Sequence, residues 1–277
     1  MSVSDFLKEK AGKIFRLALG LDECQCISYN GFMNNRQQKI LASIVEEYTN
    51  TAIPVGSKIL VEKYGFDVSS ATMRSDMVRL EEEGYLYQPH TSAGRVPTDK
   101  GYRFFVEEIM KDQELSLSEQ RKIQTELLKL KAQHNRLSRT TAKLLSAFTG
   151  EMAISRFNKD FSDFGIRELL EQPEFKKIDE FCKVAEALDY IDENIDTILK
   201  DVKPGETKIF IGKENPIKEI SNCSMVISPY RTKKGERGVL AIIGPKRMKY
   251  AKNKSMIEYI KKLLSSSVVL IIVINIF

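Results

Sequence analysis

Between residues 35 and 110 the apolar residues fall into three short runs with helical spacing, each closed by a glycine or a proline. That punctuation limits what the segment can fold into more than any other feature of the chain. Asn35 followed by Gln38 has capping-box spacing, and Ile40, Leu41, Ile44, Val45 and Tyr48 recur at helical intervals, which predicts a helix over 36–49. The breaker Ile53-Pro54-Val55-Gly56 separates it from a short helix over 57–64 that Gly65 ends. Ser69 or Ser70 caps a third helix reaching Glu83, with Met73, Met77 and Leu80 facing inward and Gly84 as the stop. Strand-like Tyr85-Leu86-Tyr87-Gln88, the turn-rich HTSAGRVP over 90–97 and a helix from Thr98 through Met110 follow. Helix, helix, helix, hairpin is the order of a winged helix-turn-helix.

The second helix of such a pair enters the major groove of DNA. With Met73, Met77 and Leu80 inward, the outward face carries Thr72, Ser75 and Arg79, flanked by Ser69, Ser70 and Arg74. Hydroxyls suit phosphates or base edges, and arginine suits guanine bidentately. The competing reading is a solvated helix face on which Asp76, Glu82 or Glu83 pair with the two arginines. In the loop, His90, Thr91, Ser92, Gly94 and Arg95 are candidates for a wing. Gly94 is expected to turn the backbone tightly so that Arg95 reaches a minor groove or a phosphate, with Thr91 and Ser92 donating to phosphate. A structural role at the wing base is the alternative for His90. Over 33–110 nine Lys and Arg face eleven Asp and Glu, a net of −2. Such a unit does not coat DNA through phosphate neutralisation, so selective, salt-sensitive binding as a dimer is expected.

The rest of the composition removes other classes. A chain of 277 residues, 42% hydrophobic and 29% charged, with a net charge of +5, reads as globular, with a reducing cytoplasm as the expected location. Cys24, Cys26, Cys182 and Cys223 are too few for a disulfide framework, and His90 and His134 alone cannot build a His-rich metal site. There is no Walker, G-x-G-x-x-G, C-x-x-C or H-E-x-x-H pattern. Glu214, Asn215, Tyr230 and Arg231 supply no nucleophile and base at recognisable spacing. No enzyme, cofactor or metal is therefore expected. The apolar ending over 268–277 is short of the ~18 residues a membrane span needs, and reads as a sticky tail rather than an anchor.

A long helix is predicted over 116–149, with Ile123, Leu130, Leu137 and Leu144 seven apart and Leu127, His134, Thr141 and Phe148 forming a second row. A dimeric coiled coil through Ile123, Leu127, Leu130, Leu137 and Leu144 and a helix packed on its own domain both fit. Beyond Gly150 the run 157–165 looks like a linker, 166–170 and 175–199 look helical, and 208–211, 225–228 and 239–243 look like strands before a helix over 255–264. The whole reads as α+β, an N-terminal winged helix joined by a long helix to a second domain with a small sheet.

The continuous run from Asn35 to Met110 resembles the HrcA family of heat-inducible transcription repressors. LLEQPEF over 169–175, IGKENP over 211–216, CSMVISPY over 223–230 and GPKRMKYA over 244–251 are similar to that family's C-terminal motifs, in the same order. The resemblance implies a repressor that binds double-stranded DNA at an inverted-repeat operator of chaperone genes as a homodimer and is released by heat. It also implies a GAF-like second domain and a GroEL-type chaperonin as partner. It places the recognition helix at SSATMRSDM and the wing at HTSAGRVP. LSRTTAKLLSAFTGEMAIS runs almost directly into GIRELLEQPEF, so much of the family's middle is absent and the helix around Ile123 is the expected substitute for its dimer interface. The expected organisation is thus an extension over 1–32, with Met33 as an alternative start, then DNA binding over 33–110, a connecting helix over 111–150, a reduced GAF-like domain over 151–266 and an apolar tail over 267–277. A winged-helix protein-interaction module, or a decayed repressor without selective DNA binding, is the alternative function.

Overall fold

The computed structural model describes residues 33–131, 137–176, 178–203, 205–232 and 235–265. The extension with Cys24 and Cys26, residue His134 and the apolar tail lie outside the described residues. Packing divides the chain after Gln38, inside the first helix, α1 (Asn35–Thr51). In the first unit the described start of α1 is closed by Asn34 and Gln37. Asn34 Oδ1 accepts from the Gln37 N–H at 2.9 Å, and Gln37 Oε1 accepts from the Asn34 N–H at 3.0 Å. The capping box therefore sits one residue earlier than the Asn35 and Gln38 pair, and the helix starts one residue earlier than expected.

The second unit opens with the remainder of α1, then α2 (Ser57–Tyr64) and α3 (Ser70–Glu82). Ser69 caps α3, its Oγ accepting from the Thr72 N–H at 3.1 Å. A two-stranded antiparallel ribbon follows, β1 (Leu86–Tyr87) against β2 (Val96–Pro97). Thr98 then caps α4 (Asp99–Phe104), which runs on as a π-helical turn over Phe105–Ile109. Ile40, Leu41, Ile44, Leu60, Met73, Leu80, Leu86 and Tyr102 are all fully buried, so the periodic apolar positions close one small core. We call this the head.

The body begins with α5 (Leu117–Lys131) and α6 (Leu137–Thr149). These pack against each other, which two successive pieces of one straight helix cannot do over a six-residue separation at 1.5 Å per residue. Ile123, Leu127 and Leu144 are 0%, 1% and 7% exposed within this single chain, Leu137 is half-buried, and the side chain of Leu130 is outside the described ones. Ile123, Leu127 and Leu144 of the row expected to meet a second copy are thus already covered within the single chain.

The expected linker over 157–165 is instead a hairpin. β3 (Met152–Phe157) turns at Asn158, φ +55°, into β4 (Asp160–Phe164). Next come α7 (Ile166–Leu170), α8 (Ile178–Ile198), β5 (Lys208–Ile211), β6 (Cys223–Arg231), β7 (Arg237–Pro245) and α9 (Tyr250–Ser265). The five strands form one antiparallel sheet in the order β4-β3-β7-β6-β5. Met152, Ile154, Met225, Ile227, Ala241 and Ile243 of one face pack on Val184, Ala187, Ile191 and Ile195 of α8. The opposite face is covered by α6 and α9. With both faces covered, β6 is buried without interruption from Cys223 to Ser228, which is why its sequence reads as an apolar run rather than an alternation.

Candidate nucleic-acid interface

The inward face of α3 carries Met73, Met77 and Leu80, and with them Asp76, which is 5% exposed. Everything else between Ser69 and Arg79 faces solvent, including Ser69, Ser70, Thr72, Arg74, Ser75 and Arg79. The helix-face residues singled out from the sequence are therefore brought together on one surface. Among the described residues neither Arg74 nor Arg79 takes part in an ion pair, so the paired surface that competed with this reading is not the one found. Ser69 is partly committed, since its Oγ caps the helix and lies 3.0 Å from Thr72 Oγ1. Sequence reasoning missed Val78, an apolar side chain 36% exposed on this polar surface. Its position one residue beyond inward Met77 was the available signal. An exposed methyl pair beside arginine and hydroxyls suits the methyl group of thymine.

The ribbon loop holds a different arrangement from the expected one. His90, Thr91 and Ser92 are exposed at its tip, with His90 Nδ1 3.2 Å from Ser92 Oγ. Gln88, overlooked in the sequence, braces the loop by donating from Nε2 to the carbonyls of Thr91 at 2.9 Å and Ala93 at 2.8 Å. Gly94 serves close approach rather than a tight turn: a Cβ there would collide with the backbone of Pro54 and Val55. That approach lets Val55 and Arg95 exchange backbone hydrogen bonds at 3.0 and 2.9 Å. The Arg95 guanidinium pairs with Glu81 at 2.8 Å and its side chain is only 12% exposed. It ties the loop to the end of α3 and does not reach outward, because a carboxylate of its own chain holds it.

Of the residues weighed for a pocket in the body, Tyr230 and Arg231 line an open cavity, while Asn215 is spent on the main chain. The Asn215 amide donates to the carbonyls of Gly212 at 2.9 Å, Ile220 at 3.3 Å and Cys223 at 2.8 Å. Tyr230 lies across Gly238, where a Cβ would meet its ring, and burial raises its hydroxyl above the ordinary tyrosine range. At Glu151, at the entrance to β3, burial pushes the carboxyl up to about 8, with the cation of Arg247 acting in the opposite direction. No helix among the described residues is long and apolar enough to cross a membrane.

Curated proteins to which this chain is similar are named transcription repressors. One from Acetivibrio thermocellus, named "Heat-inducible transcription repressor HrcA", is 28% identical over 336 residues, covering 83% of this chain and 95% of that protein. A protein of the same name from Thermobifida fusca is 49% identical over 125 residues, 45% of this chain and 36% of the relative. A crystal structure of a hypothetical protein, 21% identical, superposes with a TM-score of 0.66 over 84% of this chain and 98% of the other, which establishes the fold. The family model described as "HrcA protein C terminal domain" matches residues 105–253. The chain belongs to the HrcA family. The 336 aligned positions of the first relative take up only 83% of these 277 residues, so that relative carries a substantial stretch with no counterpart here.

Proposed function

We propose that this chain is a sequence-selective, DNA-binding repressor of heat-shock genes whose head works as a winged helix-turn-helix. The observation that carries the reading is the exposed face of α3, where Thr72, Arg74, Ser75 and Arg79 stand open, both arginines without an ion pair among the described residues. In this reading α3 lies in a major groove, Arg74 and Arg79 read guanine or hold phosphate, and His90, Thr91 and Ser92 rest on the adjacent backbone. The names of the relatives support heat-inducible repression as the regulatory setting. The body acts as a reduced GAF-like domain, the operator is an inverted repeat upstream of chaperone genes bound by a homodimer, heat releases it, and a GroEL-type chaperonin is its partner. The dimer contact lies outside Ile123, Leu127 and Leu144, which the monomer already buries. The setting of this activity is the cytoplasm, and no cofactor takes part.

The test is a gel-shift titration on an inverted-repeat chaperone operator and on scrambled DNA at two salt concentrations, with and without Arg74→Ala. Tight, operator-selective binding that Arg74→Ala weakens is the expected result. Equal affinity for operator and scrambled DNA by folded protein would overturn it and favour a protein-interaction module.

A further inference from the structure

Three of the C-terminal motifs, 169–175, 211–216 and 244–251, contribute nothing to the DNA-facing surface, yet the fold brings all three to the seam between head and body. Asp99, the first residue of α4, accepts from Lys246 Nζ at 2.6 Å and from the Lys213 N–H at 3.2 Å. Gly212, at φ +56°, permits this approach, since a Cβ there would collide with the Asp99 carboxylate. One turn later Arg103 donates from Nε to Glu214 Oε1 at 3.0 Å, pairs with the second oxygen of the same carboxylate, and donates to the Ile209 carbonyl at 2.7 Å. Glu214 is itself fixed by the Ile211 N–H at 3.1 Å. Arg247, its side chain 11% exposed, donates to the Thr49 carbonyl near the end of α1 at 3.2 Å while Glu174 and Gln172 each hold it at 2.7 Å.

Charge-assisted and forked hydrogen bonds fix an angle as well as a distance, whereas apolar side chains tolerate sliding. Three such anchors on two helices of the head leave it little freedom to rotate on the body. The face of α3 takes no part in these contacts, so they hold the head without hiding it.

We propose that Asp99, Arg103, Lys246, Arg247 and Glu214 are positioning residues that lock the head at one angle to the body, so that two heads of a dimer fit one half-site spacing. This rests on the repressor reading above. In it the motifs set specificity through geometry while α3 sets it through contacts. A seam that only stabilises the fold leaves the spacing preference untouched when it is weakened.

The experiment compares the full chain with Lys246→Ala/Arg247→Ala, and with the milder Arg103→Lys, which keeps the charge and loses the fork. Each is titrated against the operator, the operator with five base pairs inserted between half-sites, and an isolated half-site. Half a helical turn places the second half-site on the opposite side of the duplex, so the wild-type chain is expected to bind the inserted operator at least about tenfold more weakly. The variants should keep wild-type affinity for the half-site and discriminate between spacings by less than about threefold. Unchanged spacing preference in folded variants, or half-site binding that falls as far as operator binding, overturns the proposal. Spin labels at Lys58→Cys and the exposed native Cys182, in a chain carrying Cys24→Ser and Cys26→Ser, report the angle directly. One narrow distance distribution that broadens in the variants is expected, and equally narrow distributions overturn the lock. Should the wild-type chain fail to prefer operator over scrambled DNA, the repressor reading falls while the label distances still decide the lock.

Discussion

Arginine does opposite work at the outer face of the head and at the seam beneath it. On α3, Arg74 and Arg79 stand in solvent, with no ion pair to a carboxylate among the described residues. Some twenty to thirty residues along the chain, and again in the body, Arg103 and Arg247 are shielded and committed to Glu214, Glu174, Gln172 and main-chain carbonyls. An unspent guanidinium at the surface is available to a ligand, and its removal leaves the fold intact. A spent one is a cross-link, and removing it strands its partners. Arg95, expected to belong to the first kind, belongs to the second through Glu81.

The largest effect tests the committed class. Arg247→Ala leaves Glu174, Gln172 and the Thr49 carbonyl without their donor at a side chain 11% exposed, and should cost about 3 kcal/mol in urea unfolding. A loss within experimental error would erase the distinction. Arg74→Ala tests the free class: about 2 kcal/mol of operator affinity should go, read by gel shift, while the urea midpoint stays in place.

Glu151 sharpens the contrast from the acidic side, because its carboxyl is buried with Oε2 unpartnered rather than paired. Burial raises its folded value to about 8 from an ordinary 4.5, so the stability of the protonated form is complete below 4.5 and is lost as pH rises through about 8. Glu151→Gln should therefore stabilise the chain at pH 8 and change its stability much less at pH 5, checked by urea melts at both values. The smallest effect belongs to Arg95. Its replacement by alanine should cost about 1 kcal/mol of stability and leave the salt dependence of DNA binding unchanged, whereas a phosphate contact would lower the slope by about one.

Much of the head was legible because its signals are local. The bounds of α2 came out as 57–64, the caps Ser69 and Thr98 fell where expected, and α7 and β5 coincide with the predicted runs. The body was less so. β4 falls in the run 157–165 that looks like a linker because Asn158, Lys159, Asp160, Ser162 and Asp163 are turn-rich, and only pairing with β7 makes a strand of Met152–Phe157. Ile123, Leu127 and Leu144 repeat at heptad spacing, and the same spacing serves helices packed within their own domain.

By itself the sequence determined where helices start and stop, which face of α3 is apolar, and to which family the chain belongs. All of these are written in residues a few positions apart or in consecutive motifs. Only the tertiary structure decided which charges are free and which are spent, and what the C-terminal motifs touch. Arg247 meets Thr49 across 198 residues of chain, and Arg103 meets Glu214 across 111. Hydrogen bonds and ion pairs act over a few ångströms, so a side chain's partner is set by the path of the backbone and leaves no periodic trace in the sequence around it.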